Sequence, residues 1–277
     1  MLTDHLTLTA RLSGVLSAGP LYEAGRAVGR CAFVLYSFLL VNGFEKTSDR
    51  RKYLGRLILF SVISQIPFSL AFTARNYAAV PGALSCSFDA VKALWLLIPL
   101  AVFFLTVCEK RFGRPLLYLA AAFLVACLQV NVGGFVLIGS YLNVFYTLAF
   151  SMAFMVAADR LLSSRRFTPE TILIPAALAV VLWFVQRDAD YGLYGVFLIA
   201  ALFFTRQYRV LQCIVLLLWS VLEYSGSVPH IIGAACAVLP VALYNGLRGR
   251  KIRTPFYVFY PAHLLILGLV FRLLSRR

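Results

Sequence analysis

The side chains able to do acid–base chemistry in this chain are few. The opening stretch "MLTDHLTLTA" sets Asp4 beside His5, and the other two histidines are His230 in "SVPHIIG" and His263 in "FYPAHLLI". Imidazole ordinarily titrates near neutrality, which suits it to moving a proton under physiological conditions. Neighbouring residues of a helix point about 100° apart, so Asp4 cannot serve as the dyad partner of His5. It suits an ion pair with Arg30, or orientation of an acceptor. His263 falls near the middle of a long apolar run, where an ionisable group is costly. Two readings stay open for it: a functional group, or a neutral imidazole bonded across helices to Tyr260 or a serine. His230 reads as a cap or interface residue. Further polar groups are Asn143, just after "GSYL", and Asp188, Asp190 and Tyr191 in "RDADYG". The run "YNGLRGRKIR" crowds Asn245, Arg248, Arg250, Lys251 and Arg253 together. Such a patch suits an anion, either a lipid headgroup or a nucleotide phosphate, or it only anchors the chain at a membrane surface.

Metal chemistry is not expected. No histidine stands at metal-ligand spacing from another histidine or a cysteine. The cysteines (Cys31, Cys86, Cys108, Cys127, Cys213 and Cys236) form no CxxC pair and read as small core residues. P-loop, GxSxG and GxGxxG patterns are lacking too, as is a cleavable signal peptide.

The elements that must position these groups are apolar. Of 277 residues, 61% are hydrophobic and 13% charged. A soluble domain carries roughly half apolar residues, so the chain reads as an all-α, polytopic transmembrane bundle forming one domain over residues 1–277. Spans are expected at Ala27–Phe44, Tyr53–Phe72, Ala93–Val107, Leu116–Ile138, Tyr141–Ala158, Thr171–Val185, Tyr191–Thr205, Val210–Tyr224, Pro229–Tyr244 and Pro255–Leu274. A weaker Leu2–Leu16 stands in front, for about 10–11 helices in all. Pro67 and Pro261 should kink the helices that hold them.

The net charge of +15 comes from 26 Lys and Arg against 11 Asp and Glu. Without a nucleic-acid-binding pattern, that excess reads as topology. Alternate connections are basic: Glu45–Arg56, "EKRFGR", "DRLLSSRR", "RQYR" and "RGRKIR". These should face the cytoplasm, which places Asp4, His5, Arg30, Asn143 and Asp190 at the outer face.

Several stretches together resemble the TraX family. They are "GRCAFVLYSFLLVNGFEKTSDRRKYLGRLILFSVISQIPFSLAF", "LNVFYTLAF", "ADYGLYGVFLI", "YNGLRG" and "FYPAHLLIL". The family takes its name from a protein that acetylates the N-terminus of conjugative pilin. It is grouped with membrane acyltransferases such as sugar O-acetyltransferases and the lysosomal heparan glucosaminide acetyltransferase. The resemblance implies a multi-pass protein of a bacterial plasma membrane. It would take acyl-CoA, in the first instance acetyl-CoA, from the cytoplasm and modify a protein N-terminus or surface glycan outside. The family's first helix carries Met-x-x-Asp-His-x-Gly; here Met1, Asp4 and His5 match and Thr7 replaces the glycine. The chain therefore reads as starting inside that helix. Other departures are Val34 for Pro, Asn42 and Gln65 for Glu, and Ser69 for Asp, so acid chemistry at those positions is not expected. Ala93–Val107 and Leu116–Ile138 resemble an insertion.

Acyl transfer needs a base, an oxyanion stabiliser and a grip on the donor. Under this resemblance His5 is the base or transient acyl carrier, and Arg30 or Asn143 stabilises the oxyanion. Asp4 and Asp190 position the acceptor or His5. Asn245, Arg248, Arg250 and Lys251 hold the CoA phosphates, and His263 lines the path between the faces. The alternatives are a transporter or flippase, and a non-enzymatic assembly factor.

Overall fold

The computed structural model describes residues 1–78, 82–94, 96–97, 114–163, 188–247 and 254–275. Most of them are helical. The helices are α1 (Leu2–Leu12), α2 (Pro20–Lys46), α3 (Arg50–Phe72), α4 (Arg114–Cys127), α5 (Val144–Ser163), α6 (Gly192–Phe204), α7 (Arg209–Glu223), α8 (Val228–Ala235), α9 (Val238–Ala242) and α10 (Thr254–Ser275). Helix α2 starts on Pro20, whose fixed φ and missing N–H suit the first turn. Asp49 caps α3, accepting from the Lys52 backbone N–H at 2.9 Å. Among the described residues three helices are long and apolar enough to cross a membrane: Pro20–Lys46, Arg50–Phe72 and Tyr257–Ser275.

Two expected spans take another form. Leu116–Ile138 is not one helix: α4 ends at Cys127, and strands β2 (Leu128–Val132) and β3 (Phe135–Ile138) follow. Strand β1 (Ser85–Phe88) joins them in an antiparallel sheet ordered β1-β2-β3. Gly133 and Gly134 make the hairpin turn with φ of 57° and 86°, a conformation that side chains resist. Pro229–Tyr244 divides into α8 and α9. Pro240 has no N–H to offer the Cys236 carbonyl and its ring crowds that group, so the chain turns at Cys236–Ala237. Thr171–Val185, and all but the first residues of Ala93–Val107, lie outside the described residues.

The core gathers around α6, whose Leu198, Ile199, Leu202 and Phe203 are fully buried. Phe33, Phe38 and Phe44 of α2 and Met152 and Met155 of α5 pack on it. Outward faces stay apolar, for example Leu217, Leu218 and Leu222 of α7 and Ile266, Leu269 and Leu273 of α10.

The ends of the bundle differ in charge chemistry. At one end the basic connections meet. Arg206 pairs with Glu45 at 3.1 Å, Arg50 with Asp159 at 2.6 Å, and Lys46 donates to the Tyr244 hydroxyl at 2.9 Å and to the Gly246 carbonyl. Near the opposite, N-terminal end of α2 lie the pairs Asp4–Arg26 and Glu23–His230.

Candidate active site

Helix α1 carries Asp4 and His5, and glycines dock it. On α2, Gly25 and Gly29 are one helical turn apart and share a face. A Cβ on Gly29 would lie 2.1 Å from Asp4 Cβ, and one on Gly25 would lie 2.2 Å from Thr7 Cγ2. The small-xxx-small spacing "GRAVG" lets the two backbones approach closely. Thr7, standing where the family pattern has glycine, is the side chain seated on Gly25. Asp4 then pairs with Arg26, at 2.7 Å, and both side chains are largely buried. The expected partner Arg30 lies one turn further on. Its guanidinium instead covers the Tyr224 ring at 5.2 Å, which corrects the expected pairing.

The same docking brings His5 against α10. His5 Nδ1 lies 2.7 Å from His263 Nε2, and the two rings are parallel within 3°. His263 Nδ1 is 2.5 Å from the Phe259 carbonyl, which can only accept. With both rings neutral, the hydrogen-bond pattern assigns the tautomers. His263 carries its proton on Nδ1, His263 Nε2 accepts, and His5 Nδ1 donates. The lone pair of His5 Nε2 is left free. His263 is therefore bonded across helices, to His5 rather than to Tyr260 or a serine.

His5 lines an apolar cavity of about 270 Å³. Asp4, Asp190, Tyr191 and Tyr260 share its wall, and Leu39, Tyr53 and Tyr257 line its far part. Asp190 and Tyr191 are placed by a short parallel bridge between Leu142 and Ala189. The Asp190 N–H donates to the Leu142 carbonyl at 2.9 Å, and Thr147 Oγ1 donates to the Asp190 carbonyl at 2.6 Å. Tyr191 has φ of 59°, the left-handed region that non-glycine residues rarely occupy, and its ring stacks on Phe33 at 3.7 Å. Such local strain persists only where the surroundings hold it. Desolvation, with the nearby Asp4 charge, pushes the Asp190 carboxyl up to about 6, against the opposing pull of Arg30 and Arg26.

Tyr260 entered the sequence reading only as a candidate partner of His263, three residues away and so on the same helical face. It is 2% exposed, and its buried hydroxyl, approached by the Val144 N–H, donates to no acceptor among the described residues. Its ring centroid lies 5.8 Å from that of His5. This makes Tyr260 a free donor beside the base.

Asn143 is fully buried at the start of α5. Its Nδ2 donates to the Ser61 carbonyl and to Gln65 Oε1, both at 2.8 Å, and its Oδ1 accepts from the Phe145 N–H at 3.0 Å. Both amide protons are thus engaged, which leaves none for an oxyanion. Gln65 also donates to the Tyr141 carbonyl at 2.8 Å, and Ser69 Oγ accepts from the Gly139 N–H at 3.1 Å. A neutral hydrogen-bonded network occupies these positions.

A second cavity, of about 450 Å³, opens at the basic end of the bundle. Lys46, Lys52 and Arg56 line it with Asn42, Asp49 and Tyr244. Asn245 stays apart: it is exposed, and its Oδ1 accepts from the Leu247 N–H at 2.9 Å. Arg248, Arg250 and Lys251 lie outside the described residues.

Residues 1–133 and 109–271 match the TraX protein family, and the chain belongs to that family. Together with the long apolar helices, this makes it a membrane protein. Over 262 residues it is 27% identical to the "Probable fimbrial assembly protein FimC, serogroup H1" of Dichelobacter nodosus, spanning 89% of this chain and 82% of that protein. No solved structure matches.

Proposed function

We propose that this protein is a multi-pass acyltransferase of the bacterial plasma membrane, moving an acyl group from cytoplasmic acyl-CoA to an amine or hydroxyl acceptor at the outer face. One observation carries the reading. The His5–His263–Phe259 chain leaves His5 Nε2 without a partner among the described residues, and His5 lines the apolar cavity. His5 Nε2 takes the proton of the acceptor as its nitrogen or oxygen attacks the thioester carbonyl. The tetrahedral oxyanion is met by the free Tyr260 hydroxyl, in the role the sequence assigned to Asn143 or Arg30. Collapse breaks the carbon–sulfur bond, and the CoA thiolate leaves with the proton that His5 collected. His263 acts through His5 as a positioning residue. Asp190 and Tyr191 are placed to orient the acceptor. The collection of basic connections at one end supports that end as the cytoplasmic one.

The likeness to a protein named for fimbrial assembly favours a second reading, an assembly factor without chemistry. One experiment separates the two. Purified protein in lipid nanodiscs receives radiolabelled acetyl-CoA, with a peptide bearing a free α-amino group and a hydroxyl-bearing oligosaccharide as acceptors. Label should pass to one of them, and His5→Ala should stop it. Absence of both acetyl-CoA binding and transfer overturns the enzyme reading.

A further inference from the structure

Leu39, Tyr53 and Tyr257 line both cavities, the apolar one that ends at His5 and the basic one at the far end. These shared side chains mark where the two spaces adjoin. The basic cavity has an excess of positive charge. Asp49 is occupied: it pairs with Lys52 at 3.0 Å and caps α3. Lys46 is held in place by Tyr244 and Gly246 and keeps one of its three protons unengaged. Arg56 lies over the Tyr53 ring at 5.6 Å, and its Nε is buried with no hydrogen-bond partner among the described residues. A buried guanidinium N–H without an acceptor is costly, and it marks where an acceptor belongs. A forked cation beside two ammonium groups suits phosphate oxygens above other anions.

We propose that the pocket of Lys46, Lys52 and Arg56 binds a phosphate-bearing head group, whose uncharged arm passes between Leu39, Tyr53 and Tyr257 toward His5. The arm's destination rests on the acyltransferase reading; the head-group site does not. Two molecules share this chemistry, a CoA thioester and an anionic phospholipid.

The test uses the full chain in phosphatidylcholine nanodiscs, with Arg56→Gln, Lys52→Gln and, as an exposed cation outside both cavities, Arg75→Gln. Lys52 is 78% exposed, so its variant folds even if Arg56→Gln does not. Calorimetry reads the binding of the adenosine bisphosphate portion of CoA. Losing one charged hydrogen bond should weaken it about tenfold or more in the pocket variants and leave Arg75→Gln unchanged. That outcome names the nucleotide as occupant. If this probe does not bind, but phosphatidylglycerol in the nanodisc raises the unfolding temperature of wild type and not of the pocket variants, the occupant is a lipid phosphate and the site stands. Equal behaviour of the pocket variants and Arg75→Gln in both arms overturns it. For the passage, acetyl-CoA should bind wild type more tightly than the bisphosphate does. Leu39→Trp, at a half-exposed position, should erase that advantage; an advantage that persists disproves the joined path. His5 lines the other cavity and not this pocket, so a loss of transfer in His5→Ala bears on the reaction, whereas a loss of bisphosphate binding in Lys52→Gln or Arg56→Gln bears on the pocket.

Discussion

His5 and His263 are 258 positions apart in sequence, yet their rings lie parallel, edge to edge, with Nδ1 and Nε2 2.7 Å apart. The contact joins the first helix to the last and fixes which nitrogen of His5 keeps its lone pair. If His263 acts by holding that tautomer, its loss slows turnover without changing donor binding. His263→Ala should lower kcat for transfer by about 10²-fold or more, with KM for acetyl-CoA unchanged. His263→Gln, which offers an amide oxygen to the same N–H, should recover part of the rate. Steady-state kinetics of the three forms test this. Equal losses in the two variants would exclude a role through that hydrogen bond.

Tyr260→Phe should separate stability from activity. Its buried hydroxyl donates to no acceptor among the described residues and meets only the Val144 N–H, so removing it should change stability by no more than about 1 kcal/mol. As an oxyanion donor, the same hydroxyl should be worth about 10²–10³-fold in kcat. Thermal unfolding and turnover, measured on one preparation, should part, the first little moved and the second much reduced. An unchanged turnover removes Tyr260 from the reaction.

Asp4 and Arg26 form a largely buried ion pair. Removing one member leaves a stranded charge, so Arg26→Ala should cost about 3–5 kcal/mol. Asp4→Asn combined with Arg26→Gln should cost less than the sum of the single changes. Denaturant titration in detergent gives the coupling. Strict additivity would mean that the pair contributes nothing together.

Two helix-interior glycines should respond in opposite ways. An added Cβ at Gly29 meets Asp4 at 2.1 Å, whereas at Gly55 it meets nothing within 4 Å. Gly29→Ala should push α1 away from α2, destabilise the protein and abolish transfer. Gly55→Ala should be neutral or stabilise by about 0.5–1 kcal/mol, because it removes chain entropy from the unfolded state. Unfolding temperatures of the two variants read this directly.

Asp190 gives a pH signature. Its carboxyl is raised from an ordinary 3.8 to about 6 in the folded protein. Between those values the native state binds more protons than the unfolded state, so this group's contribution to stability falls as pH rises from about 4 to about 6 and is then constant. The unfolding temperature of wild type minus that of Asp190→Asn should decline across the same window. Parallel curves would show that Asp190 is not desolvated.

Hydrophobic run length and punctuation determined much of this protein by themselves. The runs that became α2, α3, α5, α6, α7 and α10 are long and apolar, and burial or lipid contact leaves them little but a helix. Of the basic connections, Glu45–Arg56 and "RQYR" share an end with Asp159, as charge excluded from the apolar interior requires; "EKRFGR" up to Gly113 and "RGRKIR" lie outside the described residues. Some signals were present and outweighed: Gly133-Gly134 between the strand-favouring Val132 and Phe135 spells a hairpin, and Pro240 a break, inside stretches apolar enough to suggest continuous helices. The glycine pair of "GRAVG" likewise announces a close helix contact without saying with which helix. Tertiary packing alone decided that α1 is its occupant. It also decided that Asp4 meets Arg26 rather than Arg30, that Asn143 spends its protons on Ser61 and Gln65, and that Tyr260 is left without an acceptor. Periodicity sets which residues share a face of one helix; which face meets which neighbour depends on shape complementarity between elements far apart in the chain, and no local pattern encodes it.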